Sequence, residues 1–432
     1  MTNSMLTINM ITREAVRLWQ NTNAFLMHID MQYDDSFAQT GAKIGQALRI
    51  RLPNDFVVRT GAAASPQDTA EQSLSLVVAT QQGVDLSFSS VDRAMSLDDY
   101  SKRILAPSIN NLAGAVAFNI MNGVEGGICN YVANVDSAAN NNVLNPVAAT
   151  YLTAGAILNI NSAPLGNRKI VNDPFTEARM LDSLKGLFNP APKISTQFNT
   201  GRMQEALGFD WMQDQTVIKH TNGGLWPSPG ATGNASTASV NGAGQVGTLL
   251  VVNALPAALV AGDIITIAGV NSVNRITKGT NGTLRQFVVT AAAAQGATQV
   301  SIYPALIPPT NSTPYGGLPY TPAQYQTVTA SPINGAIINL VSGSSGSNGS
   351  TTTLQTYRKN FVYTPEAVTM ATADLELYKG VHEAAREVFN GLSIRMLTDY
   401  MVGTDQAITR LDILYGYVWV RPEWAVVVAD AL

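Results

Sequence analysis

The chain has 432 residues, of which 46% are hydrophobic and only 13% charged, with a formal net charge of −4. Globular proteins carry about 25% charged residues, so this surface is poor in charge, while the apolar content excludes a disordered chain. Lys and Arg number 26 against 30 Asp and Glu, which excludes a general binder of nucleic-acid phosphates, and the single Cys129 excludes a disulfide framework or a cysteine-rich metal site. A chain this long has ample sequence for a core in two or three domains. Low charge is physically reasonable if much of the surface is buried against copies of the same chain.

Met1-Thr-Asn-Ser-Met-Leu-Thr-Ile8 has neither a basic region nor an apolar core, so it does not read as a secretory leader. No apolar run reaches the ~18 residues of a membrane span. Synthesis in a cytosol is therefore expected. Ile11, Ala15, Leu18, Trp19 and Leu26 recur at helical spacing and predict an amphipathic helix over 11–29. From Ile44 to Ser89 the period becomes two. Leu48-Arg49-Ile50-Arg51-Leu52 and Val84-Asp85-Leu86-Ser87-Phe88 alternate, and the Gly61–Pro66 connection makes them the arms of a long hairpin. A two-stranded ribbon is marginal alone in water, so it must rest on something, most simply a neighbouring copy. Ser96-Leu-Asp-Asp99 reads as a capping box. Pro107 starts or kinks a second helix whose apolar face is Ile109, Leu112, Ala113, Val116 and Ile120, ending at Gly123–Gly127. Residues 145–221 mix short helices and strands.

A compositional boundary follows. Residues 222–356 contain four charges, Asp263, Arg275, Lys278 and Arg285, in 135 residues, together with 10 of the 20 prolines and 18 of the 35 glycines. Gly223–Gly230 and the glycine-serine run Ser342–Ser350 frame the segment. Between them lie β-branched runs at Thr248–Asn253, Ile264–Ala268, Gln286–Thr290, Gln299–Tyr303 and Ala336–Val341, which predict a small antiparallel barrel or sandwich inserted into a host fold. With almost no charge to pair with the host, its core is expected to be internal. After it come a strand at Tyr357–Tyr363, a helix-prone Ala367–Asp374 and an alternating sheet region through Leu414–Ala429. There Arg410 and Asp412 flank Leu411, and Tyr415 and Trp419 share a parity that buries them against the second helix. These four are the core candidates.

Catalytic patterns are weak. Gly242-Ala-Gly244-Gln-Val-Gly247, with Asp263 downstream, fits a dinucleotide-binding fingerprint, but that mechanism needs the glycines to open a helix facing the pyrophosphate. Thr248-Leu-Leu-Val-Val follows instead, and Pro256 leaves no room for a crossover helix before Ile264. His28, His220 and His382 lack metal-ligand spacing, and Cys129 lies in an apolar stretch that suits a buried thiol. Asp34-Asp35 and Asp98-Asp99 are sequence neighbours suited to turns and caps. Neither a nucleophile elbow nor a phosphate-binding loop occurs. No enzyme, cofactor or metal site is expected.

Several stretches together resemble the P22-type major coat protein of tailed bacteriophages: Ile11-Thr-Arg-Glu-Ala15, Tyr33-Asp-Asp-Ser-Phe-Ala-Gln39, Gly41-Ala-Lys-Ile-Gly45, Leu48-Arg-Ile-Arg-Leu-Pro53, Gln82-Gly-Val-Asp-Leu-Ser-Phe-Ser-Ser90 and Leu97-Asp-Asp-Tyr-Ser-Lys-Arg103. Near the end come Gly391-Leu-Ser-Ile-Arg-Met-Leu397, Asp399-Tyr400, Arg410-Leu-Asp-Ile-Leu-Tyr-Gly416 and Arg421-Pro-Glu423, and inside the insert Gly262-Asp-Ile-Ile-Thr-Ile-Ala-Gly-Val270. The resemblance implies an α+β, HK97-like capsid fold with an inserted antiparallel β-barrel-like domain. Its parts would be an N-arm over 1–40, an extended loop over 41–92, peripheral (spine-helix) and axial core domains over 93–221 and 357–432, and the inserted domain over 222–356. It further implies pentamers and hexamers closing an icosahedral shell around double-stranded DNA that is enclosed without specific binding. Partners would be the chain itself, a scaffolding protein and a portal protein, with no membrane, and the place of action the virion. Candidate contacts between copies are Leu48, Arg49, Ile50, Arg51 and Leu52 of the loop and Trp19 of the N-arm. Two alternatives stay open, an encapsulin-like compartment shell and a β-rich surface-binding or decoration protein.

Overall fold

The computed structural model describes residues 8–20, 23–32, 47–52, 73–89, 101–123, 126–136, 142–184, 205–224, 238–309, 324–341, 355–378, 380–389, 392–401 and 406–432, with isolated positions at 55–66, 203 and 403. The capping box at Ser96–Asp99, the pair Asp34-Asp35 and the glycine-serine run Ser342–Ser350 lie outside them. The chain divides into two compact units. One comprises Met1–Ile50, Ser73–Met121 and Pro365–Val420, the other Arg51–Gln72, Asn122–Thr364 and Arg421–Leu432.

The first unit is organised by one long strand, Gln406–Trp419. Thr80–Ser89 runs antiparallel along residues 406–415. On its other side Leu392–Met401 takes residues 406–412 and Val368–Ala373 takes 414–419. Glu383–Phe389 and the short parallel strand Asp30–Gln32 complete the sheet. Helix α1 (Ile8–Gln20) packs on Glu383–Phe389 and Leu392–Met401 through Thr12, Ala15, Val16 and Trp19, one buried stripe at helical spacing. Its described extent ends at Gln20, short of the expected 29, and Asn23 accepts the Leu26 amide on its side chain at 3.0 Å at the start of a separate short turn, Leu26–His28. Helix α2 (Ala106–Gly123) buries Ile109, Leu112, Ala113, Val116 and Ile120, the predicted face. Residues 103–123, with mean hydropathy 1.3, are long and apolar enough to span a bilayer, contrary to expectation. The burial of that face identifies a core helix instead.

The alternating ribbon resolves differently from the expected hairpin. Ala47–Arg51 pairs with Ser73–Val77 in a two-stranded sheet, while Thr80–Ser89 joins the large sheet. Alternation reports that one face is covered, not which strand lies alongside. Likewise Ala367–Asp374 is not helical: Val368–Ala373 is a strand buried at every position. A strand covered on both faces loses its alternation and cannot be told from a helix by period.

The second unit holds a sheet in the order Asn142–Leu144, Tyr131–Asp136, Ala425–Ala431, Thr356–Tyr363, Lys169–Asn172, Phe209–Gln213, Glu205–Ala206. Lys219–Thr221 also pairs with Thr356–Tyr363. Helices α3 (Ala148–Ile160) and α4 (Pro174–Leu184) cover it, with Tyr151, Leu158, Met180, Ile170, Val362 and Val426 in one core cluster. Between Lys219–Thr221 and Thr356–Tyr363 the chain builds a five-stranded antiparallel sheet, in the order Gly247–Val251, Gln299–Leu306, Thr280–Val289, Ile264–Val273, Ile338–Leu340. These are the five β-branched runs of the sequence. Bridges Ser239↔Ile337 and Val240↔Val252 tie the first strand to the last and close the sheet on itself. Inside, Val240, Leu250, Ile265, Ile267, Phe287 and Val289 are 0% exposed.

Candidate functional site

Leu48 and Ile50 pack against the cluster of Leu76, Val78, Ala371, Ala373, Leu375 and Leu414. Arg49 and Arg51, on the opposite face of the strand, are exposed, and Arg49 Nε donates to Ser73 Oγ at 2.8 Å. Leu52 is half-buried. Trp19 is 2% exposed within its own unit. Its ring is therefore part of this chain's interior, whereas the arginine face of the ribbon is exposed.

Tyr415 and Asp412 are 0% exposed and Trp419 7%. Tyr415 meets helix α2 as its parity predicts, accepting a hydrogen bond from Asn119 Nδ2 at 2.7 Å. Arg410 corrects the expectation of a core residue, for its side chain is 50% exposed and reaches along the strand to Asp412, Nε to Oδ1 at 2.7 Å. The strand alternates exposed and buried through Arg410 and is covered on both faces only from Leu411 to Gly416. Gly416 has no space for a side chain, because the Val77 carbonyl occupies the position of a Cβ. The buried partner of Asp412 is Arg395, directly opposite it on the neighbouring strand, with NH2 to Oδ2 at 2.6 Å.

The densest polar arrangement is the joint where the five-stranded sheet meets its host. His220 Nε2 lies 2.9 Å from Asp263 Oδ1, with both side chains buried. The same carboxylate accepts the Gly223 amide at 3.1 Å and the Val260 amide at 2.8 Å. Lys359, 2% exposed, donates from Nζ to the Gly262 carbonyl at 3.1 Å. Gln286 reads the backbone of Tyr131 on both sides, accepting its amide at 2.8 Å and donating to its carbonyl at 3.0 Å, as a neighbouring strand would. Arg285 NH2 is 3.8 Å from Cys129 Sγ. Burial pushes that thiol up, and the guanidinium opposes the shift. Arg275 forks onto Asp55 and lies 3.7 Å from Glu423. Burial works to lower the Arg275 guanidinium, but the Asp55 hydrogen bonds and charge outweigh it, so the group stands above its ordinary value.

Three of the segment's four charges thus face residues outside it. The expectation that so few charges leave nothing to pair with the host is corrected: the charges retained are those that form the joint. Their scarcity was the available signal, since a charge kept in an otherwise uncharged segment has a partner to meet. Asp55, Gln286 and Arg395 carried no such signal and were missed. A groove of about 730 Å³ opens beside the joint, lined by uncharged residues apart from Arg285. Among the described residues no group of three His, Cys, Asp or Glu is placed to hold a metal. The glycines 242–247 lead directly into the strand Gly247–Val251, so no helix faces a pyrophosphate.

Comparison with known proteins adds the family. The description "P22 coat protein - gene protein 5" matches residues 37–428. The chain belongs to this coat protein family. It is a major capsid protein, a subunit of a bacteriophage shell built from copies of itself, and neither the compartment nor the decoration alternative is favoured. No curated protein matches the chain. Among solved structures it is similar to one of Mycobacterium phage Che8, at 10% identity, covering 94% of this chain and 90% of the other, with a TM-score of 0.42. The capsid of cyanophage P-SCSP1u compares at 10% identity, 95% and 88% coverage and a TM-score of 0.43. A third, described as the CUS-3 coat protein I-domain, matches 26% of this chain and 99% of its own length at 29% identity, with a TM-score of 0.20.

Proposed function

We propose that this coat subunit has the HK97-like division into N-arm, extended loop, core and inserted β domain. In this reading it forms pentamers and hexamers that close an icosahedral shell around double-stranded DNA. A scaffolding protein and a portal vertex take part, the subunit is made in the host cytoplasm, and its role is structural. The observation that carries the inserted domain is the return of the chain. His220 pairs with Tyr357 and the Asn222 amide bonds to the Gln355 carbonyl at 3.0 Å, so residues 223–354 leave and rejoin one sheet at adjacent positions. Adjacent ends burden the host fold little, since loop-closure entropy grows slowly with length.

The insert is therefore expected to fold alone. Residues 222–356 expressed separately give dispersed amide resonances and a cooperative melt, because the closed sheet has its own interior of Phe287, Ile265, Ile267 and Leu250. A collapsed, featureless spectrum would show instead that the segment depends on its host.

The extended loop is expected to act between copies through its arginine face. Arg49→Glu with Arg51→Glu leaves a folded subunit, because both side chains are exposed, and hinders shell formation by reversing charge on the arm. Negative-stain microscopy after mixing with scaffold checks this, and normal closed shells from the double variant would refute the role.

A further inference from the structure

The turn between Ile264–Val273 and Thr280–Val289 carries two of the four charges of the insert, Arg275 and Lys278. It is a built turn. Asn274 accepts the amides of Ile276 and Thr277 on its side chain at 2.9 and 3.0 Å, its own amide bonds to the Gly279 carbonyl at 2.8 Å, and Lys278 Nζ donates to the Gln324 carbonyl at 2.8 Å. Such a turn holds the base of the Arg275 side chain still. From it Arg275 reaches Asp55, Nε to the two carboxylate oxygens at 3.1 and 3.0 Å and NH2 to Oδ1 at 2.8 Å. Glu423 lies on the same guanidinium at 3.7 Å. A forked pair fixes direction as well as distance, which a point charge cannot do.

Asp55 is followed by two large apolar side chains left in solvent, Phe56 at 57% and Val58 at 86% exposure. An unanchored segment carrying such residues would have to be ordered at the moment of association, at an entropic cost to assembly. Here one carboxylate of the segment is already fixed to the folded sheet of its own chain.

We propose that Arg275 is a positioning residue for shell assembly: by gripping Asp55 it presents Phe56 and Val58 in one orientation to a second copy of the chain. The inference rests on the reading of the extended loop as a contact between copies, and it adds which residue of the insert sets that loop.

The test uses the full-length subunit in three forms, Arg275→Gln, Arg275→Lys and Phe56→Ser with Val58→Ser. Each is followed by hydrogen exchange of the 55–66 segment in the free subunit, by thermal melting, and by the subunit concentration at which shells appear. Arg275→Gln is expected to raise exchange around Asp55, lower the melting midpoint only slightly and raise the onset concentration about fivefold, the ratio that loss of one partly exposed charged contact produces. Arg275→Lys, which keeps the charge and loses the fork, falls between. Unchanged exchange in Arg275→Gln overturns the grip. If Phe56→Ser with Val58→Ser hinders assembly while Arg275→Gln assembles normally, the positioning role fails and the loop contact stands. If that apolar double variant itself assembles normally, the contact at this segment fails and the positioning role falls with it.

Discussion

Replacing Arg395 by Met lowers the stability of the subunit by about 3 to 5 kcal/mol, because it strands a buried carboxylate. Asp412 is 0% exposed and Arg395 6%, and the two are opposite residues of an antiparallel pair. Without Arg395, Asp412 Oδ2 loses its 2.6 Å donor, and among the described residues the carboxylate keeps Arg410, a half-exposed side chain that bonds to Oδ1. The Glu376 carbonyl, which takes a 2.8 Å hydrogen bond from Arg395 NH1, loses that donor as well. The pair itself adds little net stability, since both charges were taken out of water to form it. Arg395→Met with Asp412→Leu is accordingly expected to recover most of the loss. Urea midpoints of the two variants measure the difference. Equal midpoints for the single and double variants would mean that Asp412 finds water or another donor when Arg395 is gone.

The parts of the fold legible in the sequence are those where a local rule and the tertiary environment agree. The five strands between residues 247 and 340 are rich in β-branched residues and separated by glycine or proline, and each overlaps its expected run. Helix α2 presents its predicted face because a one-sided helix keeps its period. What was not legible is partner choice. Thr80–Ser89 alternates as a hairpin arm does, yet it pairs with residues more than three hundred positions away in sequence. Val368–Ala373 gave no period at all, because both of its faces are covered.

The same distinction divides the functional residues. Tyr415 and Trp419 are buried residues that parity singles out, whereas Asp263 and Arg275 read from the sequence as charges with nothing in the host to pair with. The other half of each of those pairs was not legible. His220 reads as an isolated histidine and Asp55 draws no reading from the sequence, and the folded chain brings them to Asp263 and Arg275. Trp19 belonged to the right helix, but the surface it covers is its own chain's.

Trp419→Ala is expected to cost about 3 to 5 kcal/mol and to give aggregation before assembly begins. Trp419 ends the long strand opposite Val368, and the chain turns immediately beyond it, where the Val420 amide bonds to the Ala367 carbonyl at 2.9 Å. The indole is 7% exposed and its N–H has no hydrogen-bond partner among the described residues. Truncation therefore removes packing alone and leaves a cavity beside strands that cannot close on it without breaking their register. Tyr415→Phe supplies the contrast within the same strand. It keeps the ring and deletes one hydrogen bond from Asn119, a change worth about 1 kcal/mol. Thermal and urea unfolding of the two variants should differ severalfold in effect, with Trp419→Ala recovered mainly in the insoluble fraction and Tyr415→Phe still forming shells. A soluble Trp419→Ala subunit melting near the parent would place this end of the strand outside the core that the shell subunit needs in order to fold.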